Sequence, residues 1–133
     1  MPAPALVAVV DDDFSVRESL PDLLRILGFA SRAFSSSEEF LASGLVDETD
    51  CLILDVAMPS MSGPALQKEL SRRGKTIPIV FISGHGGESL RPRLLAAGVV
   101  AYLLKPFSEA DLVDAVRSAL QMMRVRVPTP RDH

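Results

Sequence analysis

The chain has 133 residues, 47% of them hydrophobic, which is enough apolar material for one core and too little for two. Fourteen Lys and Arg against seventeen Asp and Glu leave a net charge of −3, so the chain offers nucleic-acid phosphates no basic field and direct nucleic-acid binding is disfavoured. A single cysteine excludes an internal disulfide; with neither a charged-then-apolar leader nor an apolar run of about 18 residues, the default expectation is a cytoplasmic protein without a membrane segment.

Ala5-Leu6-Val7-Ala8-Val9-Val10 is continuous and apolar, as expected of a strand covered on both faces, and it ends abruptly in Asp11-Asp12-Asp13. From Ser15 to Leu27 the apolar residues Val16, Leu20, Leu23, Leu24 and Leu27 recur at helical spacing, and Gly28 supplies the stop. Pro21 lies inside that helix, where it would cost about 3 kcal/mol, so a kink or a late start is predicted. Phe29 to Phe34 reads as a weaker strand. Ser35-Ser36-Ser37 then offers capping hydroxyls, and Glu38-Glu39 first-turn acids, to a short second helix.

Cys51 to Asp55 is the third strand, with Cys51 read as a buried, inert thiol. Met58-Pro59 and Ser62-Gly63 make a tight return into a third helix over Gly63 to Arg73. Thr76 to Ser83 is the fourth strand, with Pro78 near its start. Gly84-His85-Gly86-Gly87 loosens the pattern. Pro92 either stops a helix begun at Glu88 or opens one, so the fourth helix is expected to be short or mobile at its start. Val99 to Leu104 is the fifth strand and Lys105-Pro106-Phe107 a turn. Ser108 with Asp111 resembles a capping box for a fifth helix running to about Met123. Residues 124–133, with Pro128 and Pro130, read as a disordered tail or the start of a linker. Leu94, Leu95, Val113 and Val116 are expected in the core.

Five β-α units predict an α/β fold, a doubly wound parallel sheet with right-handed crossovers. In such sheets the functional crevice lies outside the carboxyl ends of the strands. That rule gathers Asp11 and Asp12 from strand one, Asp55 from strand three, Ser83 from strand four and Lys105 from strand five. Three converging carboxylates would repel one another unless a cation sat among them, and an oxygen-only ligand set suits Mg²⁺. Asp12 and Asp55 are assigned as direct ligands, Asp11 through water, and the backbone carbonyl of Ala57 as a further ligand. Lys105 and Ser83 suit phosphoryl oxygens, which leaves Asp55 as the nucleophile that would form an acyl phosphate. Each residue also has an ordinary use. Asp11-Asp12-Asp13 could be an acidic turn capping helix one, which is the whole role expected of Asp13. Lys105 could be a surface lysine, Ser83 a strand-end hydroxyl, Tyr102 core filler and His85 a loop residue.

The ordered set Val-Val-Asp11-Asp12, Leu-Asp55-Val-Ala-Met-Pro-Ser-Met-Ser-Gly63, Ile-Ser83-Gly-His-Gly and Tyr102-Leu-Leu-Lys105-Pro106-Phe resembles the receiver domains of two-component response regulators, over about residues 5–121. The Ser-Gly-His-Gly stretch looks most like the branch containing the nitrogen-fixation transcription regulator, whose receivers usually precede a helix-turn-helix output domain of the LuxR type. The resemblance implies a flavodoxin-like sheet with strand order 2-1-3-4-5 and a cis peptide between Lys105 and Pro106. It implies that Asp55 accepts a phosphoryl group from a sensor histidine kinase, with Mg²⁺ held by Asp11, Asp12 and Asp55. Such a protein catalyses its own phosphorylation and dephosphorylation without being a conventional turnover enzyme. Ser83 and Tyr102 would form a switch in which Tyr102 turns inward on phosphorylation and remodels the face of helix four, strand five and helix five, where an output domain or a second copy would bind. Ala57 and His85 lie where family members tune dephosphorylation; Ala57 cannot orient a water, so a long-lived phosphoryl group is expected.

Two other classes were weighed. Asp11-Asp12-Asp13 after a strand resembles haloacid-dehalogenase-type phosphatases, with Asp11 as nucleophile and Asp13 as acid, but the chain is short for one and Asp55 would go unexplained. A flavodoxin-type binding module should offer hydroxyls and amides in its first loop, not carboxylates. A receiver acting by contact without phosphorylation is the third reading.

Overall fold

The computed structural model describes residues 4–84, 91–96 and 99–126. The apolar runs become strands: β1 (Leu6–Val10), β3 (Cys51–Asp55) and β4 (Ile79–Ser83), with β3 and β4 buried at every position. Together with β2 (Ala30–Phe34) and β5 (Ala101–Leu104) they form one parallel sheet in the order β2-β1-β3-β4-β5. The unbroken hydrophobicity of the central strands follows from helices covering both faces.

On one face, α1 (Phe14–Ile26) and α5 (Glu109–Arg126) set Leu20, Leu24, Leu112 and Val116 against Val7, Val9, Ile53 and Ile82. On the other, α2 (Ser37–Ala42), α3 (Gly63–Arg72) and α4 (Arg91–Ala96) set Phe40, Leu66, Leu70 and Leu94 against Val10, Leu54 and Phe81. Each fully buried aliphatic or aromatic side chain contributes about 1.5–3 kcal/mol, so these two layers hold the sheet. Three helices begin on the expected caps, Asp13 accepting from Ser15 N–H, Ser36 from Glu39 N–H and Ser108 from Asp111 N–H, and α3 begins on Ser62, read only as a turn residue, which accepts from Ala65 N–H.

Several boundaries differ from the sequence reading. α1 neither starts late nor is interrupted at Pro21, whose ring is buried beside Leu20 and Leu24, so apolar burial offsets part of the missing hydrogen bond. β4 begins at Ile79, because Pro78 has no N–H to give the ladder, although its carbonyl accepts from Leu52 N–H at 3.0 Å. β5 begins at Ala101, since Val99 N–H instead turns back to the Leu94 carbonyl. α5 continues through Arg126, beyond the expected end at Met123 and into the stretch read as tail; residues 124–126 contain no breaker, and the first restriction comes from Pro128. A 3₁₀ turn at Val46–Glu48 was not anticipated. α4 is six residues long with Pro92 in its second position, where a missing N–H is harmless. Leu94 and Val116 are core residues, whereas Val113 is only half-buried and Leu112 takes the inward place. His85, the glycines at 86 and 87, the Leu95 side chain and residues 127–133 lie outside the described residues.

Candidate functional site

Strand register builds the site. All five strands are parallel, so their carboxyl ends share one edge. Val10 of β1 lies opposite Leu54 of β3, so the next residues, Asp11 and Asp55, emerge side by side. Asp55 lies opposite Ile82 of β4, which puts Ser83 one step further out, and Ser83 lies opposite Leu104 of β5, which puts Lys105 just beyond. The Lys105 N–H donates to the Ser83 carbonyl at 2.8 Å, and the Lys105–Pro106 peptide is cis.

Asp11 is fully buried, Asp55 is 5% exposed and Asp12 stands at the open mouth. Each offers a carboxylate oxygen within 4.8 Å of the others. Lys105 Nζ lies 2.8 Å from Asp11 Oδ2 and 4.0 Å from Asp55 Oδ1. The short approach to Asp11 is a charge contact on a fully buried carboxylate, and it leaves the second acid, Asp55, with only the more distant side of the same ammonium. Asp11 Oδ1 accepts from Asp13 N–H at 2.8 Å. Three carboxylates that bring oxygens together, with a single ammonium to offset their charge, form an oxygen-only donor set that fits a hard divalent cation such as Mg²⁺.

Burial, then the charge of Asp11, pushes the Asp55 carboxyl up from 3.8 to about 7, with Lys105 opposing and Asp12 adding to the rise. For Lys105, burial acts to lower the ammonium pKa, but the contact with Asp11 and the charges of Asp55 and Asp13 more than reverse it, and the group stays protonated above the ordinary lysine value. Crowded acids beside one cation thus leave Asp55 protonated for part of the time near neutrality unless more positive charge arrives. Cys51, by contrast, is buried at the far end of β3 with its thiol pushed up to about 12 by burial and the charge of Asp50, which makes it the inert thiol expected.

The loop after Asp55 is tightly built. Gly63 N–H donates to the Val56 carbonyl at 3.0 Å, and a Cβ on Gly63 would lie 2.4 Å from the Asp55 carbonyl oxygen and 2.7 Å from Phe81 Cε1. Ser60 holds a left-handed backbone with φ 67°, and the buried Ser37 hydroxyl donates across from α2 to the Met61 carbonyl. Ala57 is exposed beside the cluster. Ser83 is buried at the end of β4. Tyr102 already lies inward, 5% exposed among Phe81, Leu94 and Val99, with no hydrogen-bond partner for its hydroxyl among the described residues.

The Asp13 side chain caps α1 and is not one of the three converging acids, so the acid that the phosphatase reading required is not gathered into the cluster. Two supporting residues escaped the sequence reading. Ser37 gave no signal beyond its place in a serine run. Arg17, which donates from Nη1 to the Asp11 carbonyl at 3.1 Å, did carry one: a cation near the start of a helix is unfavourably placed for the helix dipole.

Residues 7–117 match the family model of the response regulator receiver domain. Nodulation protein W of Bradyrhizobium diazoefficiens is 45% identical over 122 residues, covering 92% of this chain and 54% of that protein. The transcriptional regulatory protein FixJ of Azorhizobium caulinodans is 39% identical over 120 residues, covering 90% and 57%. Among solved structures, the response regulator StyR superposes with a TM-score of 0.85 at 44% identity, covering 93% of this chain and 63% of that one. The chain spans about half the length of the curated relatives it matches.

Proposed function

The chain belongs to the response regulator receiver domains of two-component signalling, and we propose that it accepts a phosphoryl group on Asp55 from a phosphohistidine of a sensor kinase. The observation that carries this reading is the meeting of Asp11, Asp12 and Asp55 within 4.8 Å, with Lys105 Nζ 4.0 Å from Asp55. Asp55 is the member of the trio that combines the last position of a strand, near-complete burial and a carboxyl that this burial and its neighbours raise toward neutrality.

In the proposed reaction an Asp55 carboxylate oxygen forms a bond to phosphorus as the phosphorus–nitrogen bond of the donor breaks, and the released imidazole takes a proton from solvent. Asp11, Asp12, Asp55 and the Ala57 carbonyl would hold Mg²⁺, which would supply the positive charge that lets carboxylates and phosphoryl oxygens share the site. Lys105 exchanges part of its contact with Asp11 for a phosphoryl oxygen, and the Ser83 hydroxyl donates to another. Because Tyr102 is already inward, the Ser83 contact acts by holding that arrangement and shifting a population. The face of α4, β5 and α5, where Leu104 is exposed, is the proposed seat of an output domain or a second copy.

Intact mass after incubation with Mg²⁺ and acetyl phosphate tests the reading. The native chain should gain one phosphoryl group, Asp55→Asn none, and chelation should abolish the adduct. An adduct of equal yield on Asp55→Asn would reject Asp55 as the acceptor. No adduct on the native chain from acetyl phosphate or a partner kinase would favour a receiver acting by contact alone.

A further inference from the structure

We propose that Arg17 is a positioning residue of this site: by holding the Asp11 carbonyl, it sets the peptide plane from which both metal-facing carboxylates of the first loop project. The inference rests on reading the acid cluster as a Mg²⁺ site.

Arg17 sits at the end of the opening turn of α1, whose first turn contains no acid. The helix dipole disfavours a cation there by a few tenths of a kcal/mol to about 1 kcal/mol, so its place calls for a compensating contact. That contact is the hydrogen bond from Nη1 to the Asp11 carbonyl, 3.1 Å long, which reaches back across the whole β1–α1 loop. The guanidinium is steadied over the Phe14 ring, 5.8 Å from its centroid, although that ring is itself 65% exposed. Arg17 is half-buried and forms no ion pair among the described residues, although its charge helps to lower the pKa of the Glu39 carboxyl on α2.

The choice of acceptor matters. A guanidinium paired with Asp12 or Asp55 would occupy oxygens a divalent cation needs. On the carbonyl it occupies none. The Asp11 carbonyl belongs to the planar peptide joining Asp11 to Asp12, so fixing that oxygen fixes the directions in which both residues leave the loop. Asp11 is then held on every side: its N–H donates to the Phe34 carbonyl at 3.1 Å, its Oδ1 accepts from Asp13 N–H, and its carbonyl accepts from Arg17. The remaining atom, Oδ2, faces Lys105 Nζ at 2.8 Å and the other acids. Supporting hydrogen bonds of this kind commonly govern metal affinity as strongly as some ligands do.

Calorimetric titration of the metal-free chain with MgCl₂ tests this, using the native protein and Arg17→Ala, alongside thermal unfolding without metal. Arg17→Ala should bind Mg²⁺ about tenfold more weakly. The adduct-formation rate with acetyl phosphate should return to the native value once Mg²⁺ is saturating, so that the defect lies in the metal dependence. A purely structural arginine would lower the unfolding temperature while leaving the affinity of the folded chain untouched. Unchanged Mg²⁺ affinity in the folded variant overturns the proposal. If Arg17→Ala does not fold, Arg17→Met keeps the stem over Phe14 while removing every donor, and the same two results decide. A native chain that binds no Mg²⁺ overturns the site reading itself, and the role of Arg17 with it.

Discussion

At Asp55, burial and neighbouring acids oppose ionisation, and that local cost extends to the stability of the chain. With the folded carboxyl near 7 and an ordinary value of 3.8, the folded state keeps a proton between those limits that the unfolded state has released. Protonation therefore favours folding, and stability of the metal-free protein falls as pH rises through that window and levels above it. Urea unfolding should show Asp55→Asn gaining about 3–4 kcal/mol on the native chain between pH 4 and pH 7.5; a constant difference would refute the shift. Tyr102 presents the complementary case, a buried hydroxyl without a partner among the described residues. Tyr102→Phe should stabilise the chain by about 1 kcal/mol in the same assay, since it removes an unsatisfied group and keeps the ring. The acid at a strand end was readable in sequence, because polarity interrupts an apolar run there. The inward pose of Tyr102 was not, because it depends on how Leu94, Val99 and Phe81 pack around it.

At the scale of elements, the β3–α3 loop shows how close packing and chemistry meet. Gly63 lets the start of α3 rest on the backbone of Asp55 and Val56, which no side chain there would allow. Gly63→Ala should cost about 2–3 kcal/mol and also weaken Mg²⁺ binding, because the nearest obstacle is the Asp55 carbonyl and main chain yields poorly. Gly84→Ala, with nothing among the described residues within 4 Å of the added carbon, should change unfolding free energy by no more than about 0.5 kcal/mol. Ser-Gly punctuation marked this turn in the sequence, but the contact that requires the glycine belongs to the fold. Pro21 taught the converse: local propensity foretold a kink or a late start, and α1 runs on from Phe14 with the proline buried between Leu20 and Leu24.

For the whole molecule, the sheet brings together at one edge charges that the separate segments would never meet. An ion that binds only this assembled edge stabilises the fold by mass action. Mg²⁺ at about a hundred times its dissociation constant should add about 2.7 kcal/mol to the unfolding free energy. Thermal unfolding with Mg²⁺ and after chelation would read this as an upward shift of several degrees that chelation reverses, and no shift would argue against a metal site. Among the described residues no helix is long and apolar enough to cross a membrane.

Continuous apolar runs closing on acids, serine or lysine determined the strands, their parallel arrangement and the candidates Asp11, Asp12, Asp55, Ser83 and Lys105, because burial on both faces and strand-end polarity leave a linear record. Only the tertiary structure decided that Lys105 lies nearer Asp11 than Asp55, that Tyr102 is already inward and that Arg17 holds the first loop. Those facts follow from strand register and from competition among neighbouring donors for a few acceptors, and neither is written in the order of the residues alone.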